Sequence, residues 1–450
     1  MALLSDISPP TVNPSLNVFD ISPSNVLESE GRFISYTPVS DITLNELSPI
    51  EFYAPATDLS YIDLAKTRLF VTLNITKGNE NLKFTTEAEG DLIDPTKSSV
   101  VALVNNPLHS LFTSVELFLN DQLLSSASTN NYPYLSYLQK ILNTSASVKN
   151  GKLTGAGFYL DTSFGAVAKN KGFVKRLSLT QNSQDVELTD TLDLDLFHQY
   201  KYLLSGINVK IRLNRSSNNF ALQKAKDDPT TNYKANIKAI KLVLRKILPQ
   251  DNILIAHNQL LSKHNAVYEY ERMIFRHFNI PTGNANFVLE NAFQGLVPQR
   301  VIFMMLPTSD FQGDMKSNPF NFKHNSLSHL SLYIDSTPLL DQTFNFTNGA
   351  KYIEAFSNLY FHLGYSNPSK GDIQISREQF LSGFCIFCFD TNPDLGSAGN
   401  YLGLNRTGNL RLNLDFATAL TDSTTLIMVG VFSNMIQITA DRQVLHDFRI

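Results

Sequence analysis

The chain has 450 residues with 41 acidic and 37 basic side chains, a formal net charge of −4, and no long run of Lys or Arg. This balance argues against a dedicated nucleic-acid surface, which needs clustered positive charge. Hydrophobic residues make up 43% of the chain, including 31 Phe and 17 Tyr, so it can bury more than one core and is not disordered over most of its length.

The N-terminal stretch, residues 1–40, carries Pro9, Pro10, Pro14 and Pro23 among Ser and Asn. This composition predicts an extended arm outside either core. The start lacks a charged leader followed by an apolar block, and no apolar run reaches the roughly 18 residues of a membrane span. We therefore expect a protein that is made in soluble form and is not conventionally secreted.

Short runs rich in Val, Ile, Phe, Tyr and Leu recur along the rest of the chain, separated by Asn, Gly, Pro, Asp and Ser, which is typical of an all-β protein. We expect few helices, the best candidates being Tyr132–Leu142 and Arg377–Leu381. Residues 79–99 and 143–171 are polar and are predicted to be long loop insertions at one end of a sandwich. The predicted strands are Thr67–Ile75, Ser114–Asn120, Gly206–Leu213, Arg300–Leu306, Leu330–Asp335, Asn409–Phe416 and Thr424–Phe432.

One phrase occurs twice, as HSLFTSVELFLNDQLL at 109–124 and HLSLYIDSTPLL at 329–340. Each copy follows a loop with an Asn-Pro pair, ending at Pro107 and Pro319, and each predicts a strand that ends in an Asp-containing turn. The copies lie roughly 200 residues apart, too far for a solenoid repeat and suited to a duplicated sandwich domain.

A later alternating strand follows a turn glycine in each half, Gly206 and Gly408, at a similar separation. Together these features predict two tandem eight-stranded jelly rolls with loop insertions and a few short helices. We assign the first jelly roll to residues 41–248, a linker to 249–265, and the second jelly roll with a C-terminal tail to 266–450.

The two cysteines, Cys385 and Cys388, form a CxxC spacing that can indicate metal or redox chemistry. They lie in an apolar run with strand composition, and a separation of three places them on opposite faces of a strand. A zinc site would need a second ligand pair, which the sequence lacks. We interpret both as buried structural thiols.

Asp190, Asp193 and Asp195 alternate with other residues in LTDTLDLDLF and could suggest a calcium loop or a carboxylate pair. The spacing lacks the glycine of an EF-hand. We interpret the stretch as a strand edge facing solvent or a loop, with Asp193 and Asp195 on one face.

His109 precedes the first copy of the phrase, among polar residues that could form a sugar-binding or acid–base cluster. Because Asn and Asp also favour turns and caps, we interpret the cluster as turn chemistry and His109 and His329 as incidental to function. The surrounding polar residues are Asn105, Asn106, Asp121, Asn130 and Asn131.

Other candidate binding residues also have structural interpretations. The basic stretch Lys234–Lys246 is expected to be an amphipathic strand or helix edge, and Tyr132, Tyr134 and Tyr137 to belong to a packed helix-like insert. No GxSxG, P-loop or HExxH motif occurs. We assign no catalytic, cofactor-binding or metal-binding residue and expect no enzymatic activity.

An ordered series of segments resembles the double jelly-roll major capsid proteins of Polinton/Maverick elements and adintovirus-like viruses. The resemblance runs from about residue 15 to the C-terminus, although relatives often carry a few Trp and this chain has none. The segments are SPIEFYAPATDLSYIDLAKTRLFV (48–71), VNNPLHSLFTSVELFLN (104–120), STNNYPYLSYLQKILN (128–143), YLLSGINVKIRL (202–213), SNPFNFKHNSLSHLSLYID (317–335), ISREQFLSGF (375–384) and the strands from FDTNPDLG onward (389–434).

The resemblance implies a non-catalytic major capsid protein whose homotrimers form pseudo-hexagonal capsomers of an icosahedral shell. It implies contacts with neighbouring capsomers and with penton or minor capsid proteins, and no sequence-specific binding of nucleic acid. It also implies that the protein is made inside the host cell and becomes part of the virion. The resemblance does not decide whether the protein contacts a membrane. The alternative is a carbohydrate- or receptor-binding β-sandwich protein, which would need an exposed aromatic cluster in one set of loops. A cupin-type enzyme would need a His-x-His, which is absent.

Overall fold

The computed structural model describes residues 15, 25, 27–42, 48–83, 100–124, 131–165, 167–346, 351–365, 373–396 and 403–446. In the first half of the chain the strands are β1 Glu28–Tyr36, β2 Ile50–Ala54, β3 Tyr61–Lys77, β4 Glu80–Asn81, β5 Val101–Leu103, β6 Phe112–Leu119, β7 Gln122–Leu123, β8 Val186–Thr191, β9 Val209–Arg215, β10 Leu222–Lys224 and β11 Tyr233–Pro249. In the second half they are β12 Ala266–Ile280, β13 Asn286–Leu289, β14 Leu296–Val297, β15 Arg300–Pro307, β16 Leu327–Ile334, β17 Thr337–Thr343, β18 Ile386–Asp390, β19 Arg406–Thr407, β20 Leu410–Phe416, β21 Thr424–Ile438 and β22 Val444–His446.

The helices within these ranges are short and lie in the connections between strands. They are α1 Pro107–Ser110, α2 Asn131–Leu142, α3 Ala146–Asn150, α4 Lys171–Thr180, α5 Asn218–Ala221, α6 Asp251–Leu261, α7 Thr308–Gln312, α8 Ile353–His362 and α9 Arg377–Leu381. Single 3₁₀ turns cover Lys152–Ala156, Val167–Lys169, Gln181–Ser183 and Asp195–His198.

The strands of each half form two main antiparallel sheets, and each sheet contains four strands in the same order in both halves. A short fifth strand is added to one sheet of each half, β4 beside β3 in the first half and β22 beside β21 in the second. In the first half one sheet runs β1-β11-β3-β8 and the other β2-β9-β6-β7. In the second half the sheets run β12-β21-β15-β18 and β13-β20-β16-β17. Each half is therefore an eight-stranded jelly roll, and the predicted double jelly roll is confirmed.

Burial along the strands differs from one strand to another for a physical reason. In β3, β9 and β20 buried and more exposed residues alternate, since one face of each strand packs on a core and the other meets solvent. In β15 and β18 nearly every residue is buried. Helix α8 covers the outer face of β18, so a continuous apolar run is favourable there.

The repeated phrase corresponds to the same strand and turn of each jelly roll. β6 and β16 hold equivalent places, with Val115, Leu117 and Leu119 buried in one and Leu330 and Leu332 in the other. The histidines themselves are not equivalent. His109 lies in α1 ahead of β6, whereas His329 lies inside β16.

The turn that follows each of these strands makes the same pair of hydrogen bonds. The Asn120 amide donates to the Asn208 carbonyl (3.0 Å), and the Asn208 amide donates to Asn120 Oδ1 (2.7 Å). In the second jelly roll Asp335 and Asn409 repeat both bonds at 2.8 and 2.7 Å. Both turn residues have positive φ, which Asn and Asp tolerate better than most residues. The phrase recurs because both halves need this turn.

The structure revises two expectations about the ends of the first jelly roll. Glu28–Tyr36, predicted to belong to the arm, forms the edge strand β1 on β11, so backbone pairing brings this part of the stretch into the first jelly roll. The predicted linker contains helix α6, whose Leu254 and Leu261 are buried against Tyr61 and Leu204. Most of residues 1–26 lie outside the described part of the chain.

The predicted insertions are only in part loops. Residues 84–99 lie outside the described ranges. Residues 143–171 contain α3, two 3₁₀ turns and the start of α4. The Asn170 side chain caps α4 by accepting hydrogen bonds from the Gly172 and Phe173 amides.

Candidate functional site

The segment between β7 and β8 of the first jelly roll reaches across to the second, and we call residues 131–185 the bridging insert. Its helix α2 places Tyr134 and Tyr137 among phenylalanines of the second half. Tyr137 stacks on Phe320 with ring centroids 4.1 Å apart, and Tyr134 lies 5.5 Å from Phe311. Both tyrosines are fully buried, so the structure confirms a packed insert and they form no exposed aromatic cluster.

Polar contacts reinforce this apolar junction. Buried Lys149 donates hydrogen bonds to the carbonyls of Ile141 and Ile373, and Asn318 donates from Nδ2 to Asp161 Oδ2 at 3.1 Å. Each bond between the halves satisfies a buried polar group that would otherwise be costly. The bridging insert therefore fixes how the two jelly rolls sit against each other.

A buried ionic cluster anchors α2 to the first jelly roll. Lys140 Nζ lies 2.7 Å from Asp190 Oδ2 and 3.1 Å from Asp193 Oδ1, and all three residues are at most 6% exposed. Ser136 donates a 2.5 Å hydrogen bond to Asp193 Oδ2. The expectation that these aspartates line a solvated strand edge is wrong, because α2 covers them and supplies the compensating cation.

His109 belongs to the same cluster. Its Nε2 lies 3.4 Å from Asp190 Oδ2 and 3.6 Å from Asp193 Oδ2, and its Nδ1 lies 2.8 Å from the Tyr132 hydroxyl. The imidazole is completely buried. Its contacts join α1 to α2 and β8.

The charges in the cluster stabilise one another. Burial opposes ionisation of Asp190, but the hydrogen bond with His109 and the charge of Lys140 outweigh it and hold the pKa of this carboxyl well below its usual value. Burial likewise opposes the charge on Lys140, yet Asp193 and Asp190 raise the Lys140 pKa. The ion pair therefore persists at neutral pH.

Asp195 lies apart from this cluster, in a 3₁₀ turn instead of the predicted strand. Its Oδ2 accepts a 3.2 Å hydrogen bond from the Met273 amide in β12. Burial raises the pKa of Asp195 to about 7, although the Met273 bond and Arg272 act in the opposite direction. This carboxyl thus titrates near neutral pH at a contact between the two jelly rolls.

His329 has a different environment from His109. It lies on the outer face of β16, one-third exposed, between Asp415 Oδ2 at 3.0 Å and Asp341 Oδ1 at 2.5 Å. The hydrogen bonds with Asp341 and Asp415 raise its pKa.

The cysteines are free thiols at 0% and 1% exposure, Cys385 just before β18 and Cys388 within it opposite Ile302. Burial raises the pKa of Cys385, and it raises that of Cys388 to about 12. High thiol pKa values and inaccessibility agree with the interpretation of structural thiols.

The polar residues around His109 separate in the structure. Asn105 and Asn106 are buried near α1, and Asn106 Nδ2 donates to Ser136 at 2.8 Å. Asp121 lies in the turn at the other end of β6. Asn130 and the Asn131 side chain lie outside the described residues.

Lys140, the residue that brings the aspartates together, was not among the residues predicted to matter from the sequence. Its only signal was a cation within the otherwise apolar helix sequence YPYLSYLQKIL. Among the described residues no group of three His, Cys, Asp or Glu side chains could hold a metal ion. No helix in those residues has the length and apolarity to cross a membrane.

The chain is similar to known proteins in sequence and in fold. No protein-family model matches the chain. An uncharacterized protein of Caenorhabditis elegans is 26% identical over 374 residues, which cover 82% of this chain and 85% of that protein.

Solved structures resemble the chain over nearly its whole length. The mavirus major capsid protein gives a TM-score of 0.56 at 12% identity, covering 98% of this chain and 97% of that chain. The Faustovirus major capsid protein gives 0.51 at 10% identity, covering 94% and 93%. A chain in the structure of the Sputnik virophage gives 0.66 at 12% identity, covering 98% and 93%. The chain shares the double jelly-roll fold of viral major capsid proteins.

Proposed function

We propose that the protein is a major capsid protein and that its homotrimers are the capsomers of an icosahedral shell. The observation that carries the proposal is the duplication itself, two jelly rolls of identical strand order joined by a buried bridging insert. The full-length resemblance to viral major capsid proteins supports it. In the described residues we find no solvent-accessible cluster of reactive side chains, which suits a structural role for the duplicated domain.

The duplication has a geometric use in a shell. Three copies of a chain with two similar bodies present six bodies around a threefold axis, which fills a near-hexagonal lattice. We propose that the two jelly rolls comprise residues 41–248 and 266–450, joined by the linker 249–265, and that β1 belongs to the first jelly roll. An obligate trimer interface of this kind would bury on the order of 2,000 Å² or more.

We place the inner side of the shell at the end that carries α6. There the Gln250 amide donates to the Leu27 carbonyl at 3.0 Å, so Leu27, just before β1, lies beside the start of α6. Ile255 and Leu260 of α6 are 59% and 58% exposed, which is unusual for large apolar side chains. We propose that this end meets neighbouring capsomers and penton or minor capsid proteins, in a virion assembled after synthesis inside the host cell. The resemblance of the segments quoted above supports a source among Polinton/Maverick elements or adintovirus-like viruses.

Solution mass tests the trimer. The chain has a mass of 50.4 kDa, so light scattering coupled to gel filtration should give one species at three times that value. A stable monomer at micromolar concentration would contradict the proposal. Electron microscopy of the purified protein should show pseudo-hexagonal particles.

A deletion tests the inner end separately. Removal of residues 1–24 should leave the protein trimeric, because β1 starts at Glu28, but should reduce the assembly of shells in expressing cells. Shell yields equal to those of the full chain would refute the role proposed for this segment. A matched deletion of the C-terminal residues 447–450 serves as the control.

A further inference from the structure

A cavity of about 510 Å³ opens where the bridging insert meets loops of the second jelly roll. Its walls come from residues 162–165 of the insert, from Asn321 and residues 323–326 before β16, and from residues 381–383 at the C-terminal end of α9. Both jelly rolls contribute, so the cavity exists only when the insert is docked. Its size lies within the range of small-molecule sites.

Packing holds the cavity walls in place. The Phe164 ring of the insert meets the Phe384 ring edge-on with centroids 5.3 Å apart. Gly383 has φ of +118°, and a Cβ there would lie 2.2 Å from the Phe164 ring, so only glycine fits beneath it. The Gly383 carbonyl accepts a 2.9 Å hydrogen bond from the Phe322 amide. The cavity is thus formed before any ligand binds.

The cavity lining combines an apolar wall with unused polar groups. Phe164 and Leu381 supply the apolar part. Within the described ranges the side chains of Ser163, Asn321 and Lys323 make no hydrogen bond or ion pair. No carboxylate occurs among the described lining residues, and the carboxylate of Asp310, which feels the charge of Lys323, lies outside that lining.

This chemistry selects a class of ligand. A lone phosphate would not fill the volume and would leave the apolar wall unused. A saccharide presents hydroxyls to Ser163 and Asn321 and a C–H face to Phe164, and a carboxylate on it would pair with Lys323. We propose that the cavity binds a carboxylate-bearing saccharide, as found at the ends of cell-surface glycans. The cavity lies within one chain, so this proposal can be tested whatever the oligomeric state.

Saturation-transfer NMR on the full-length protein, with 3′-sialyllactose as the probe and lactose as its uncharged counterpart, tests the proposal. Transfer should reach the sialic acid protons, and lactose should give at least tenfold weaker binding. Lys323→Gln should weaken binding of 3′-sialyllactose about tenfold, which equals about 1.4 kcal/mol. Lys316→Gln is the matched control, because Lys316 lies exposed in the same loop outside the cavity and should bind as the unaltered protein does.

A second variant tests the cavity from the other jelly roll. Ser163→Tyr places a large side chain at the wall formed by the insert and should abolish transfer. Three results would each overturn the proposal: no transfer to 3′-sialyllactose, equal binding of lactose, or equal losses in Lys323→Gln and Lys316→Gln. Circular dichroism on each variant establishes that it is folded before binding is compared.

Discussion

Substitution of Lys140 by Met tests whether the buried ionic cluster holds the bridging insert in place. Lys140 lies 2.7 Å from Asp190 and 3.1 Å from Asp193, with side-chain exposures of 8%, 2% and 3%. Met keeps an unbranched apolar stem but leaves two buried carboxylates without a cation, which costs about 3–5 kcal/mol. The pair of Lys238 and Asp185 has the same 2.7 Å distance at 47% and 48% exposure, so Lys238→Met should cost about 0–1 kcal/mol.

Urea unfolding of both variants, followed by fluorescence and circular dichroism, measures the two losses in the free energy of unfolding. Equal losses in Lys140→Met and Lys238→Met would refute the reasoning. Adding Asp190→Asn and Asp193→Asn to Lys140→Met should restore much of the stability, because the uncompensated charges are then gone. The Asp190 pKa is lowered on folding, so the ionised carboxylate stabilises the fold above the pKa of about 3.9 that it has in the unfolded chain. This stabilisation fades as the pH falls below that value, so the effect of Lys140→Met should persist down to about pH 4.

Two further substitutions test the contacts between the jelly rolls. The pKa of Asp195 is raised on folding to about 7, so its charge destabilises the fold progressively as pH rises from about 4 to 7. Asp195→Asn keeps an acceptor for the Met273 amide and should therefore raise the melting temperature at pH 8 and change it little at pH 4.5. An equal change in melting temperature at both pH values would contradict this. Gly383→Ala should lower the free energy of unfolding by about 1–3 kcal/mol, because the new methyl group clashes with Phe164. Gly283 also has a positive φ but faces open space, so Gly283→Ala should lower the free energy of unfolding by less than about 1 kcal/mol. Similar losses for the two variants in a denaturation series would contradict the packing described.

Local sequence patterns predicted the duplication and the alternating strands of each half, but they placed Glu28–Tyr36 in the arm and Asp195 in a strand. Alternating runs such as VKIRLNR in β9 and LRLNLDF in β20 fall on strands with one buried face, because a strand that alternates in polarity can be satisfied only at the surface of a core. The helices were less predictable. Helix α4, KGFVKRLSLT, contains Gly172 together with Phe, Val, Ser and Thr, which lower its intrinsic helix propensity. Its Asn170 cap and its buried face against β5 support it.

The sequence by itself determined the double jelly roll, since each half carries its own strands, the same turn at Asn120 and Asp335, and enough apolar residues for a core. Tertiary structure alone decided the environment of the polar residues. Asp193 and Lys140 are 53 positions apart, and no local pattern reveals that an inserted helix covers one with the other. The reason is physical: alternation reports which side of a strand faces a core, whereas the burial of a charge depends on what distant segment packs above it.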